Sequence, residues 1–186
     1  RKSDKLFVTS NPETVYLTVV DRDLNTVSFI NSICHGFGSC ITSKNTGILF
    51  QNRGVNFRIE EDHPNVIQGG KRPLHTIIPG LITDEDDQSI LSYGVMGGQY
   101  QPIGQSHVLQ NIFDYNLSIQ EALDLPRAFA LNDQLKLEKS LNNKIVDKLN
   151  SAGHNISIVD QAIGGGQCIK IDRKNGLLIG GSDPRK

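Results

Sequence analysis

A threonine at the head of a strand-like run is the residue whose type and position best suit chemistry. Thr14 begins the run Thr-Val-Tyr-Leu-Thr-Val-Val, in which β-branched, aromatic and aliphatic residues favour a buried strand. A threonine hydroxyl is a weak nucleophile at neutral pH, but a nearby base can activate it for attack on a carbonyl carbon. Taken alone, a threonine at the head of a buried strand is normally a strand residue and nothing more. The hypothesis of a nucleophile therefore depends on the residues that follow.

A glycine pair, Gly97-Gly98, is the second candidate feature. It lies between a strand-like run at residues 90–95 and a segment with helical spacing of apolar residues at 106–115. A strand, a glycine pair and a helix in this order can present free backbone N–H groups to an anion. The alternative interpretation is a tight strand-to-helix turn, since glycine pairs are common turn formers.

Charge and hydropathy exclude several classes of partner. The 186-residue chain has a net charge of −1 and a pI near 6.6, so no basic face for nucleic acid is predicted. No apolar run approaches the roughly 20 residues that a membrane helix needs. The length indicates one domain with a substantial core.

Cysteine usage argues against disulfides and metal. Cys34, Cys40 and Cys168 form an odd set without Cys-x-x-Cys spacing, and Cys34-His35 with Cys40 offers fewer than the four ligands of a structural zinc site. We therefore expect no metal site. The same cysteine usage favours a reducing, cytoplasmic compartment. A periplasmic or secreted location stays open because the first residue is Arg1 rather than a start methionine.

The order of elements predicts an α+β fold. Strands are expected first and last, helices in the middle, and a polar, glycine-rich loop of functional length at residues 51–73. The expected strands are at residues 15–20, 26–33, 41, 47–50, 75–78, 90–95, 156–159, 168–171 and 177–179. The expected helices are at residues 106–115, after a Ser118/Glu121 capping box up to Pro126, and at 141–152 before Gly153.

A series of motifs in a fixed order makes the chain resemble a known family. It resembles the small, catalytic, C-terminal subunit of the γ-glutamyltranspeptidases, which are N-terminal-nucleophile hydrolases, and within them the γ-glutamyltransferase-like and cephalosporin-acylase-like branch. Each motif is weak alone, but their order and spacing over about 170 residues are specific. The motifs are Thr14-Val-Tyr-Leu-Thr-Val-Val-Asp21, Phe29-Ile-Asn-Ser32, Gly36-Phe-Gly-Ser39, Gly47-Ile-Leu-Phe50, Gly70-Lys-Arg-Pro73, Gly97-Gly98, Glu121-Ala-Leu-Asp-Leu-Pro-Arg127 and Ser182-Asp-Pro-Arg185.

The resemblance implies a fold, a maturation step and catalytic residues. It implies a four-layer αββα sandwich with mostly antiparallel sheets, a precursor linker at residues 1–13 and a catalytic domain at 14–186. Cleavage between Glu13 and Thr14 would free the Thr14 α-amine, whose pKa near 8 suits it as the base for the Thr14 hydroxyl. The resemblance also implies that Gly97 and Gly98 hold the oxyanion and that the Ser32 hydroxyl bonds the nucleophile.

The candidate substrate-binding residues depart from the family pattern. Cys34, Arg53 and Asn56 align with an asparagine, a glutamine and an aspartate that grip a γ-glutamyl substrate, and His75-Thr76 replaces a serine pair. Losing an acidic group and gaining a guanidinium should turn the pocket toward anionic or larger acyl groups. For His75, a structural role bridging strands is the alternative to substrate contact.

The function implied is that of an autoprocessing γ-glutamyltransferase-like amidohydrolase or acyltransferase of glutathione metabolism. It would act on small-molecule γ-glutamyl or related acyl amides through a Thr14 acyl-enzyme. The resemblance implies no metal or organic cofactor, and it implies that the uncut chain is inactive. Its expected partner is a large subunit from the upstream part of the same precursor, and a domain standing alone should self-associate. Because thirteen residues precede Thr14, the alternative is a non-processing, inactive member that serves as a binding or structural subunit.

Overall fold

The computed structural model describes residues 14–185, so the predicted linker at 1–13, with Glu13, lies outside the described residues together with Lys186. Within this range the chain forms an α+β fold. The strands are β1 (Thr14–Val20), β2 (Thr26–Ser32), β3 (Pro79–Thr83), β4 (Ser89–Met96), β5 (Ala128–Leu131), β6 (Gln134–Glu138), β7 (Ile156–Val159), β8 (Gly165–Asp172) and β9 (Leu177–Ser182). The α-helices are α1 (Gln101–Phe113), α2 (Ile119–Asp124) and α3 (Asn143–Ser151).

The predicted N-terminal hairpin is confirmed. β1 and β2 pair antiparallel, with Thr14 opposite Ser32 at the open end. At the other end the Asp21 carboxylate accepts hydrogen bonds from the backbone N–H groups of Asp23 and Asn25, both at 2.9 Å. This aspartate closes the turn locally, and it thereby fixes the register that places Thr14 beside Ser32.

A four-stranded antiparallel sheet, in the order β3-β4-β8-β9, forms the centre of the molecule. Its strand β4 is buried from Leu91 to Met96 because both faces are covered. On one face Ser92 accepts a hydrogen bond from the Thr18 hydroxyl of the hairpin at 2.6 Å. Leu91 and Val95 belong to the core cluster that includes residues of α1 and α2. The layers are therefore hairpin, sheet and helices.

Close approach of the hairpin to the sheet depends on Gly94. A Cβ at Gly94 would lie 2.4 Å from ring carbons of Tyr16, so a side chain there would push β1 away. The Tyr16 hydroxyl also contacts the hydroxyls of Ser28 at 2.8 Å and Ser92 at 3.3 Å. Thr14 lies two residues before Tyr16 and is likewise buried, so this packing sets the position of the candidate nucleophile.

The helices agree with the sequence predictions except at one boundary. Helix α1 begins at Gln101, five residues before the predicted start, with Pro102 in its first turn. Helix α2 has the predicted capping box, in which Ser118 and Glu121 bond each other's backbone N–H groups. Gly153, at a φ of 90°, follows α3 as expected for a C-terminal cap. No helix of residues 14–185 is long and apolar enough to cross a membrane.

Five strand assignments differ between the sequence prediction and the structure: three predicted strands are absent from the described residues and two observed strands were not predicted. Residues 75–78 are not a strand: the Ile77 N–H bonds the His75 ring at 3.2 Å instead of a neighbouring strand, and β3 starts only at Pro79. Residues 41 and 47–50 form no strands beyond an isolated bridge between Thr42 and Leu49. The β5-β6-β7 sheet contains two strands that were not predicted, β5 and β6, and a parallel pairing of β6 with β7.

The outer face of the hairpin is apolar and open. Val15 is 65 % exposed and Phe29 is 50 % exposed, and both point away from the sheet. Among residues 14–185 no helix covers this face. The α+β class and the mostly antiparallel pairing are thus confirmed, and the described residues provide one helical and two β layers of an αββα arrangement.

Candidate active site

Thr14 is held in a buried position at the start of β1. Only 6 % of its surface is exposed, on a strand whose neighbours Val15 and Leu17 face outward. Burial on the sheet-facing side directs its side chain toward the junction of β4 and α1. The contact that the structure gives the Thr14 hydroxyl there is with the side-chain amide of Gln101, at 3.4 Å.

The glycine pair forms a strained turn between β4 and α1. Gly97 has a φ of 134° and Gly98 a φ of 57°, values that favour glycine at both positions. The turn is closed by a hydrogen bond from the Tyr100 N–H to the Gly97 carbonyl at 3.0 Å. Because α1 begins three residues after Gly98, the N–H groups here have no partner one helical turn earlier and are available to other acceptors.

Gln101 links three of the predicted residues, although the sequence analysis did not select it. Its side chain is 1 % exposed and lies against Thr14. With the amide rotated by 180°, its nitrogen donates to the Thr76 carbonyl at 3.2 Å and its oxygen accepts from the Gly98 N–H at 3.3 Å. Pro102 was the sequence signal that could have identified Gln101. Proline is common in the first turn of a helix, so Pro102 indicates that the helix starts close to the glycine pair and that Gln101 lies at its first residue.

Ser32, Cys34 and Arg53 meet at the end of β2. The Ser32 hydroxyl accepts a hydrogen bond from the Cys34 N–H of the following loop at 3.0 Å. The buried Arg53 guanidinium donates to the Ser32 carbonyl at 3.2 Å. Glu60, the carboxylate seven residues after Arg53, accepts a hydrogen bond from Arg58 at 3.0 Å. A positive charge therefore lies directly beside the strand that pairs with Thr14.

His75 and Asn56 lie on adjacent parts of the same loop region. Partial burial and the positive charge of Arg53 lower the pKa of His75 from 6.5, which favours its neutral form near pH 7. The Asn56 amide donates to the Leu74 carbonyl at 3.2 Å, which ties its segment to the residue before His75. Arg53 and His75 are thus close enough for the charge of Arg53 to act on the His75 ring.

Among residues 14–185, no group of three His, Cys, Asp or Glu side chains is placed to hold a metal ion. Two surface clefts, of about 610 and 550 Å³, lie against α1 and along β1 and β8, and Thr14 lines neither of them. The chemistry available around Thr14 is thus that of hydroxyl, amide and backbone N–H groups.

Comparison with known proteins identifies the family. The sequence profile described as Gamma-glutamyltranspeptidase matches residues 4–186. The chain belongs to the γ-glutamyltranspeptidase family. The resemblance drawn from the ordered motifs is therefore confirmed.

Individual members of this family align along nearly the whole chain. The glutathione hydrolase-like YwrD proenzyme of Bacillus subtilis is 37 % identical, and the oxamate amidohydrolase proenzyme of Klebsiella pneumoniae is 34 % identical, each over 93 % of this chain and 34 % of the relative. The solved cephalosporin acylase from Bacillus halodurans is 44 % identical, with a TM-score of 0.86 over 95 % of this chain and 34 % of that one. The chain thus spans about one third of the length of these γ-glutamyltranspeptidase relatives.

Proposed function

We propose that this chain is the nucleophile-bearing part of an autoprocessing γ-glutamyltransferase-like amidohydrolase or acyltransferase. Its substrates would be γ-glutamyl or related acyl amides, and the acyl group would be carried on Thr14. The observation that carries the proposal is the burial of the Thr14 hydroxyl beside an amide that also reaches the Gly98 N–H. Membership of the γ-glutamyltranspeptidase family supports the same reaction class.

Maturation would use the same hydroxyl as turnover. The Thr14 oxygen would attack the carbonyl carbon of Glu13, and the peptide nitrogen would leave as the Thr14 α-amine, giving an ester. Water would then hydrolyse the ester and release residues 1–13 as the end of an upstream piece. Two relatives of this chain, the YwrD protein and the oxamate amidohydrolase, are known as proenzymes, which supports such a cut.

Turnover would follow on the freed α-amine. The amine would take the hydroxyl proton as the oxygen bonds the substrate carbonyl carbon, and the carbonyl π electrons would move to the oxygen. Backbone N–H groups of the Gly97-Gly98 turn would stabilise that oxyanion, an effect worth about 3–4 kcal/mol per donor in related chemistry. As the intermediate collapses, the Thr14 α-ammonium would return the proton to the leaving nitrogen of the substrate, which departs as a neutral amine. Water or a second amine would then accept the acyl group from Thr14.

The substrate class would be anionic acyl amides. The Arg53 guanidinium beside β2 is a suitable partner for a substrate carboxylate and an unfavourable neighbour for an ammonium group. The name of the oxamate amidohydrolase refers to an amide that carries a carboxylate and no ammonium group, which supports this direction. Asn56, His75, Thr76 and Cys34 would complete the acyl pocket.

The partner would be a large subunit from the upstream part of the same precursor. Two observations support it: the chain spans about one third of its relatives, and the outer face of the β1–β2 hairpin exposes Val15, Leu17, Val19, Val27 and Phe29. A helical layer packed on that face would bury these side chains. The isolated chain should therefore self-associate, and a clean monomer in light scattering would contradict this partner.

The test of the function is cleavage in the full-length protein. Mass spectrometry should find a cut at Glu13–Thr14 in wild type, none in Thr14→Ala and a slower one in Thr14→Ser. Thr18→Ala is the matched control, because Thr18 lies on the same face of β1 and bonds Ser92 but does not contact Gln101. Cleavage of Thr14→Ala at the wild-type rate would remove Thr14 from the mechanism.

A further inference from the structure

Gln101 is a buried amide in contact with the candidate nucleophile. Its side chain lies at the first residue of α1, 1 % exposed, with one amide end 3.4 Å from Thr14 Oγ1 and 3.3 Å from the Gly98 nitrogen. Its other end faces the Thr76 carbonyl at 3.2 Å. Burying a carboxamide costs free energy unless its N–H and C=O groups form hydrogen bonds. The buried position of Gln101 therefore indicates a function for its side chain.

The amide end near Thr14 lies close to the place where negative charge develops during acyl transfer. When Thr14 Oγ1 bonds a carbonyl carbon, the carbonyl oxygen becomes an anion one atom away from Oγ1. To be stabilised, this oxygen must lie within hydrogen-bond range of preorganised donors. The amide end of Gln101 lies near both Thr14 Oγ1 and the Gly98 N–H, and thus at the edge of the space where that oxygen must form.

The two orientations of the amide suit two states of the site. In the resting chain the network favours oxygen toward the Gly98 N–H and nitrogen toward the Thr76 carbonyl, because both ends are then bonded. In the other orientation Nε2 points at Thr14 Oγ1. In this orientation the neutral bonds to the Thr76 carbonyl and from the Gly98 N–H are both given up. An oxyanion formed there would accept from Nε2 and from the Gly98 N–H, and charge-assisted bonds of this kind are about twice as strong as neutral ones.

We propose that Gln101 is a catalytic residue of the Thr14 site, whose side-chain Nε2 donates to the oxyanion together with the Gly98 N–H. The inference rests on the proposed acyl-transfer function and adds a side-chain donor to the backbone donors. The proposal adds no proton transfer. The hydroxyl proton still goes to the Thr14 α-amine, and Gln101 keeps its own protons throughout.

The experiment uses the full-length protein with Gln101→Met, which keeps the shape of the side chain but removes the donor. Release of the anilide from glutaryl and γ-glutamyl anilides gives kcat and KM. We expect kcat to fall by about 10²–10³-fold, the loss typical of one oxyanion donor, with KM changed by only a few fold. The matched control is Gln105→Met: Gln105 is also buried on α1, and it donates to the Ile78 carbonyl without contacting Thr14 or Gly98.

A second variant, Gln101→Glu, gives a readout that a purely structural role would not move. The ionised carboxylate that this substitution introduces has no donor and repels the oxyanion, whereas the protonated acid can donate. The ratio of variant to wild-type kcat should therefore rise as pH falls through the pKa of that carboxyl group. If Gln101→Met does not fold, the pH dependence of this ratio is by itself sufficient to test whether Gln101 donates to the oxyanion.

The outcomes are distinguishable. Gln101→Met with kcat within about threefold of wild type, or with the same loss as Gln105→Met, would overturn the role of Gln101 while leaving Thr14 chemistry intact. A pH-independent ratio for Gln101→Glu would overturn it as well. A wild-type protein that neither cleaves itself nor turns over either anilide would refute the proposed function and this inference together.

Discussion

Gly97 and Gly164 lie backbone against backbone: a Cβ on Gly97 would come within 2.7 Å of Gly164 Cα. The turn that carries Gly98 therefore packs against Gly164, which directly precedes β8. The segment around Gly164 is itself held by buried charges, since Arg127 donates to the Ile163 carbonyl at 2.8 Å and Glu138 accepts from the Ile163 N–H at 3.0 Å. The geometry of the candidate oxyanion donors thus depends on residues that do not touch Thr14.

Gly164→Ala should impair the site by displacing this support. A Cβ at Gly164, where φ is 69°, would lie 2.4 Å from the Met96 carbonyl oxygen, so the turn must shift. Small displacements of catalytic groups can cost about 10²-fold in rate, and we expect kcat to fall at least tenfold. The measurement is kcat together with urea unfolding of the full-length protein.

Gly176→Ala is the matched control for this variant. Gly176 has a φ of 65°, close to that of Gly164, but an added Cβ would meet nothing within 4 Å. It should therefore show only the backbone cost of a left-handed alanine, about 1–2 kcal/mol, and no loss of kcat. Equal effects of the two alanines on kcat would contradict the idea that Gly164 supports the turn.

Local signals predicted the N-terminal hairpin and the capped helix α2 because their specifying groups are close in sequence. Asp21 bonds residues two and four positions later, and Ser118 bonds Glu121. Strands β5 and β6 were missed because they are short and are joined only by Asn132 and Asp133, whose positive φ values make a two-residue turn that was not recognised.

The candidate site was only partly predictable for the same reason. Thr14 and the glycine pair carry visible signals of residue type, whereas Gln101 gains its meaning from Thr14, 87 positions earlier in the chain. Residues 75–78 have the composition of a strand, but their hydrogen bonds go to a histidine ring and to the Gln105 amide. Only the tertiary structure supplies these partners. The roles of the site residues remain predictions.

Asp183→Asn should strongly destabilise the fold. Asp183 is completely buried and accepts from Arg127, from Arg185 at 3.1 Å and from the Gly166 N–H at 2.9 Å. Removing its charge leaves the equally buried Arg127 guanidinium without its partner, a change that typically costs about 3–5 kcal/mol. Urea unfolding should show this loss of stability.

Lys139→Met, which breaks the exposed Lys139–Asp160 pair, is the control and should have little effect on stability. Comparable losses in the two variants would contradict a structural role for the buried pair.

His107 should make the stability of the protein fall in mild acid. Burial, followed by the positive charges of Arg127 and Arg185, lowers the pKa of His107 below 6.5. Because the unfolded chain then binds a proton at higher pH than the folded chain, the free energy of unfolding decreases as pH drops below about 6.5. The lowered pKa of His75 adds to the same slope.

His107→Gln should therefore flatten the dependence of Tm on pH between about pH 5 and 7, a window set by the usual histidine pKa. Ser106→Ala is the control, since Ser106 lines the same cleft against α1 and does not titrate in this range. An unchanged slope in His107→Gln would show that His107 is protonated equally in the folded and unfolded states.

The charge of Arg53 should decide which acyl group the full-length protein selects. The buried Arg53 guanidinium bonds the Ser32 carbonyl opposite Thr14, and its charge is felt by His75. Placing a substrate ammonium next to this guanidinium would raise the free energy of the transition state by about 1–3 kcal/mol. This corresponds to a decrease of roughly tenfold to a hundredfold in kcat/KM. We therefore expect wild type to prefer a glutaryl anilide, which has the carboxylate but no ammonium group, over the γ-glutamyl anilide.

The double variant Arg53→Gln, Asn56→Asp removes the guanidinium and adds a carboxylate that can bind an ammonium group. It should therefore shift the kcat/KM ratio toward the γ-glutamyl anilide. Arg58→Gln is the control, because Arg58 lies in the same loop but pairs with Glu60 at the surface, and its loss should leave the ratio unchanged. If wild type prefers the γ-glutamyl compound and the double variant does not raise that preference, the charge argument fails. Arg53 would then serve to hold the end of β2 in place through the Ser32 carbonyl.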